Sequence, residues 1–96
     1  MPVHLAIDYG TKRIGLAIAH IGLAEPLMIL DNSPQLFTQL QQVIANEQPD
    51  QIIVGISERQ MAELTRKFAY ELAAYTQVPI VFADETLSSR TVREKL

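Results

Sequence analysis

Two apolar-rich runs open the chain, residues 3–9 (VHLAIDY) and 13–20 (RIGLAIAH), separated by Gly-Thr-Lys. Their composition predicts two strands joined by a tight hairpin, with Gly10 supplying a positive φ. A third strand over residues 26–30, entered at Pro26, completes an antiparallel meander. The period then changes. Ser33-Pro34 has the form of a helix start, a hydroxyl cap followed by proline at the first helical position, and Leu36, Leu40, Val43 and Ile44 follow at helical spacing. This helix is expected to stop before Pro49. Residues 51–56 (QIIVGI) form a short β-branched run of the kind covered on both faces of a sheet.

Ser57 and Gln60 make a capping box for a second helix, whose core-facing stripe is expected at Met61, Leu64, Phe68, Leu72 and Tyr75. Residues 79–83 (PIVFA) predict a last strand, after which Ser88 or Ser89 can cap a final helix. The order β-β-β-α-β-α-β-α predicts a mixed five-stranded α/β sheet flanked by helices. It combines an antiparallel meander with two right-handed βα units that pair in parallel. In this sheet the last strand lies two places from the first. No repeat or linker divides the chain, so residues 1–96 are expected to form a single domain.

Composition narrows the function classes. With 96 residues there is room for one modest core and no second lobe. Cysteine is absent, which excludes a disulfide scaffold, a thiolate zinc site and a cysteine nucleophile, and fits a cytoplasmic setting. The longest uncharged run, residues 14–24, is well short of the ~20 residues that span a bilayer, so no membrane association is expected. No secretory leader is readable at the start. A formal net charge of -3 argues mildly against sequence-independent duplex binding. Four of the 8 cations nevertheless fall in two short stretches, Lys12-Arg13 and Arg90 with Arg93, each behind an acidic residue at a strand end.

Asp8 is the first of these acids, held on a strand beside Gly10. A carboxylate in apolar surroundings needs a pair, hydrogen bonds or a cation. It can cap the Gly10 and Thr11 amides, or it can ligate a metal. Glu85 repeats the situation after the last strand, although Asp84-Glu85 also suits the start of a helix. Carboxylates without Cys or His donors would suit Mg²⁺ or Mn²⁺. Lys12 and Arg13 can meet phosphate oxygens or remain solvated hairpin cations, and the amides of Gly10, Thr11 and Lys12 can form an anion nest. His4 and His20 are read as structural or exposed.

Three segments together, AIDYGTKRIGLAIA at 6–19, IIVGI at 52–56 and ADETLSS at 83–89, resemble the YqgF (RuvX) family. That family is described both as Holliday-junction resolvases and as nucleases that mature the 5′ end of 16S ribosomal RNA. The likeness spans nearly the whole chain, and it is the combination of D-x-G-T-K-R-I-G with the later D-E-x-L-S-S that makes it specific. It implies an RNase H-like fold and phosphodiester hydrolysis by two divalent cations, with Asp8 and Glu85 as metal ligands and catalytic residues. Gly10, Thr11, Lys12 and Arg13, with Ser88 and Arg90, would bind substrate. The implied partners are structured RNA or branched DNA, acted on by a monomer or weak homodimer.

The sequence departs from the family pattern at three places. Thr86 stands where an arginine is common. Ser57-Glu58-Arg59-Gln60 replaces a Pro-Leu and glycine-rich loop, and the family's last helix, which carries a third metal-binding aspartate, is expected to be missing from residues 1–96. Two other classes are consistent with parts of the pattern. One is a non-catalytic nucleic-acid or partner-binding module on the same fold. The other is a phosphate-binding domain of the actin and sugar-kinase type, which needs a second lobe that 96 residues cannot supply.

Overall fold

The structure is a computed structural model that describes residues 2–20, 23–55 and 59–83. It contains β1 (Val3–Asp8), β2 (Arg13–His20), β3 (Leu23–Asp31), α1 (Leu36–Glu47), β4 (Gln51–Gly55), α2 (Arg59–Leu72) and β5 (Ile80–Ala83). The strands form one five-stranded sheet in the order β3-β2-β1-β4-β5. β1, β2 and β3 pair antiparallel, whereas β1 with β4 and β4 with β5 pair parallel. The expected mixed sheet is therefore present, with β5 two places from β1. The expected last helix falls outside the described residues.

Alternation along the strands separates two faces. Leu5 and Ile7, Ile14, Leu16 and Ile18, Ile52 and Val54, and Ile80 and Phe82 are buried on one face. They form a single cluster with Leu36, Leu40, Val43 and Ile44 of α1 and with Phe68, Ala69 and Leu72 of α2. Buried residues of both helices share this one cluster with the strands, so both helices cover the same side of the sheet. The other face carries small or half-buried side chains such as Ala6, Ala17, Ile53 and Val81. Among the described residues β4 is thus covered by helix on one face only, unlike the two-sided cover its composition suggested.

Several local expectations are corrected. β3 begins at Leu23 and ends at Asp31, because it pairs along the full length of β2 and takes Pro26 into an irregularity opposite Leu16/Ala17. α1 begins later than expected, but Ser33 does cap the turn that leads into it: its hydroxyl accepts the Gln35 N–H at 3.3 Å and its carbonyl accepts the Leu36 N–H at 3.0 Å. Gln35 is the cap and makes no side-chain capping bond. At the other end Gln48 takes a left-handed conformation with φ of 49°, and its N–H donates to the Ile44 carbonyl.

In α2 the buried positions are Thr65, Phe68, Ala69 and Leu72, whereas Leu64 is 44% exposed. Tyr75 lies past the helix end at 45% exposure and stacks on Phe37 with centroids 4.9 Å apart. The side chain of Met61 and the proposed Ser57 cap lie outside the described residues.

Candidate functional site

Asp8 ends β1, the central strand of the sheet, and is exposed. Its charge therefore keeps its water, and the desolvation cost that an apolar setting would impose does not arise. Its register partners are glycines on both sides, Gly15 on β2 and Gly55 on β4, and Gly55 in turn pairs with Ala83 at the end of β5. Paired residues project to the same face. Gly15, Asp8, Gly55 and Ala83 thus make a row across four strands in which a single carboxylate stands among side chains no larger than methyl. A Cβ built on Gly15 would lie 3.9 Å from the Asp8 Cβ, and one on Gly55 would lie 3.8 Å from the Ile7 carbonyl oxygen. Larger side chains at either place would crowd the carboxylate.

This row lies at the carboxyl ends of the parallel strands β1, β4 and β5, where open α/β sheets place their ligands. Glu85 follows Ala83 by two positions in the chain. It lies outside the described residues, as do Asp84, Thr86, Ser88 and Arg90. Among the described residues, no group of three or more His, Cys, Asp or Glu is placed to hold a metal ion. His4 is half-buried and His20 exposed.

The segment after Asp8 is held by its neighbours. Tyr9 turns toward the helices, its ring 4.7 Å from that of Phe68 on α2 at an interplanar angle of 32°. Gly10 does not adopt the positive φ expected of it. A Cβ there would collide with the Arg13 carbonyl oxygen, so glycine is required by a close approach of backbone to backbone across the loop. Thr11, Lys12 and Arg13 are exposed, as phosphate-contacting groups need to be. The Gly10 and Thr11 amides make no hydrogen bond to the Asp8 carboxylate among the described residues, which removes the capping alternative.

Sequence reasoning missed Asn32. Its Nδ2 donates to the Gly10 carbonyl at 3.0 Å and to the Tyr9 hydroxyl at 3.1 Å, and its backbone N–H donates to the Lys12 carbonyl at 2.9 Å. The available signal was an asparagine opening the D-N-S-P turn, where such side chains seek backbone partners. Its actual partners are remote in sequence and follow from the β2–β3 register, which brings Asp31 opposite Arg13.

A family model described as RuvX, Holliday junction resolvase, matches residues 2–96. The chain is 33% identical over 102 residues to a provisionally named pre-16S rRNA nuclease of Methylobacillus flagellatus, covering 96% of this chain and 70% of that protein. It is 35% identical over 103 residues to a protein of the same name from Salmonella arizonae, covering 96% and 74%. In three dimensions it is similar to Thermus thermophilus RuvC in complex with a Holliday junction substrate, with a TM-score of 0.67 at 16% identity. That match covers 90% of this chain and 66% of RuvC, and it places the sheet and helices in the RNase H-like fold. Among the described residues no helix is long and apolar enough to cross a membrane.

Proposed function

The chain belongs to the RuvX Holliday junction resolvase family, and from that premise we propose that it hydrolyses phosphodiester bonds in structured RNA, as a nuclease acting on precursor 16S ribosomal RNA in the cytoplasm. The observation that carries the proposal is the exposed carboxylate of Asp8 at the end of the central strand, with only hydrogen at the side-chain positions of Gly15 and Gly55 beside it. Such a position leaves room for a phosphate and for whatever bridges it to the acid. The names of the relatives from Methylobacillus and Salmonella support RNA as substrate. Branched DNA is the second reading, favoured by the description of the family.

The donor chemistry at the row fits a hard divalent cation, Mg²⁺ or Mn²⁺. Asp8 offers an accessible oxygen donor, and the flanking glycines leave the remaining coordination positions to water, substrate and a second acid. Asp8 and Glu85 would hold the metal, and when bound it supplies an activated water and charge neutralisation at the leaving oxygen. The chain's own contribution is to orient the phosphate. Lys12 and Arg13 meet its charge, the Gly10–Lys12 backbone presents amide donors, and Ser88 and Arg90 would bind the same substrate.

The test compares cleavage of a 5′-extended 16S rRNA fragment and of a four-way DNA junction, with Mn²⁺, by the parent protein, Asp8→Asn and Glu85→Gln. Losing several kcal/mol of charge stabilisation lowers RNA cleavage at least about 100-fold in each variant, while circular dichroism shows an intact fold. If both variants cut as well as the parent, the assignment of these acids is wrong. Cleavage of the junction and not of the RNA selects the second reading.

A further inference from the structure

We infer that Asn32 is a positioning residue, which holds the loop after Asp8 in the form that meets the phosphate. Asn32 grips the loop at the carbonyls of Gly10 and Lys12, the residues on either side of Thr11. Its side chain takes the Gly10 oxygen at 3.0 Å, and its backbone N–H takes the Lys12 oxygen at 2.9 Å. The described chain has no cis peptide, and in a trans, planar peptide the C=O and the following N–H point in opposite directions. Capture of the Gly10 carbonyl therefore turns the Thr11 N–H away from Asn32, on the exposed side of the loop. The remaining Nδ2 hydrogen goes to the Tyr9 hydroxyl at 3.1 Å, and the Tyr9 ring is itself fixed on Phe68. A loop of small and flexible residues, Gly-Thr-Lys, is thus tied to the end of β3 and to α2. Its order before substrate arrives lowers the entropy lost on binding.

The backbone bond from Asn32 to Lys12 extends the β2–β3 ladder and survives any side-chain change. The bond to Gly10 depends on the amide alone. The inference rests on the reading of this loop as the phosphate-binding element, so its test has one arm that is independent of catalysis. Asn32→Ala removes the amide, and Asn32→Leu removes it while keeping the bulk, which separates a lost donor from a lost volume.

In both variants the backbone order parameters of the Thr11 and Lys12 amides, read by ¹⁵N relaxation, are expected to fall from about 0.85 to below about 0.6, with the amides of β1 and β4 unchanged. KM for the 5′-extended 16S rRNA fragment rises about tenfold while kcat stays within about twofold, because Asp8 remains on its strand. Tyr9→Phe, which leaves the Gly10 bond in place, keeps KM close to the parent value. Unchanged loop order parameters in both Asn32 variants overturn the inference, and so does a KM equal to that of the parent. If Asp8→Asn cleaves normally while the Asn32 variants lose affinity for the RNA, the assignment of Asp8 fails and the positioning role stands.

Discussion

Asp8 and Gly55 stand directly opposite each other across the parallel β1–β4 pair, so the acid faces a position with no side chain. A methyl group there would touch the Ile7 carbonyl at 3.8 Å, an ordinary contact, and Gly55 holds no unusual φ. Gly55→Ala is therefore expected to leave the melting temperature unchanged or to raise it slightly, since it lowers the entropy of the unfolded chain by about 0.4–1 kcal/mol. Gly55→Val extends further along the same face and crowds the carboxylate. Its cleavage rate should fall about 10- to 100-fold with the fold intact. Equal rates for the valine variant and the parent would mean that the open row has no part in the chemistry.

Gly10 gives the opposite result on stability. The atom a side chain would meet is the Arg13 carbonyl oxygen, part of the backbone and unable to rotate away. Gly10→Ala forces the loop apart and should cost about 1–3 kcal/mol, read as a lower urea midpoint at unchanged slope. A midpoint equal to that of the parent would show that the loop relaxes without penalty.

These two glycines illustrate what the sequence could convey. The strand order and the parallel pairing of the last two strands follow from runs, turns and prolines, and they appear as expected. The acid at the end of β1 was legible as well, since an aspartate closing an apolar run beside glycine is conspicuous. What surrounds it was not. Gly15 and Gly55 become neighbours of Asp8 only through register, and Gly10 is needed for a crossing of backbones that no local pattern encodes. The α2 stripe was misplaced for a related reason. Counting large apolar residues selects Leu64 and Tyr75, whereas the helix approaches the sheet along Thr65 and Ala69, whose small size permits close packing.

Far from the site, the start of β1 is fastened to the start of β4. The Asp50 carboxylate accepts the Val3 N–H at 2.7 Å, and the Asp50 N–H donates to the Val3 carbonyl at 2.8 Å. Asp50→Ala loses the first bond and keeps the second. Because this bond is solvent-exposed, the expected loss is about 0.5–1.5 kcal/mol in chemical denaturation. Asp50→Asn retains an acceptor oxygen and should recover most of it. A loss in Asp50→Asn as large as in Asp50→Ala would assign the effect to charge and not to the hydrogen bond.

β3 is an edge strand of nine residues, and its exposed face is apolar. Leu23 is 74% and Ile29 69% exposed, and Leu27, Met28, Ile29 and Leu30 run consecutively without a charge. An edge of this kind offers unpaired backbone groups to any other strand, and charge on the edge is the usual protection. Glu25 and Pro26 guard only the first half. Ile29→Lys places a cation where the side chain already faces water, so the melting temperature should stay within the shift that about 0.5 kcal/mol produces. The readout is the rate at which light scattering grows in a concentrated sample near the unfolding transition, which should fall relative to the parent. Asp31→Asn, outside the apolar run, makes the same change in net charge, from -3 to -2, and serves as the control. If it suppresses scattering as strongly as Ile29→Lys, the change in charge balance and not protection of the β3 edge is the cause.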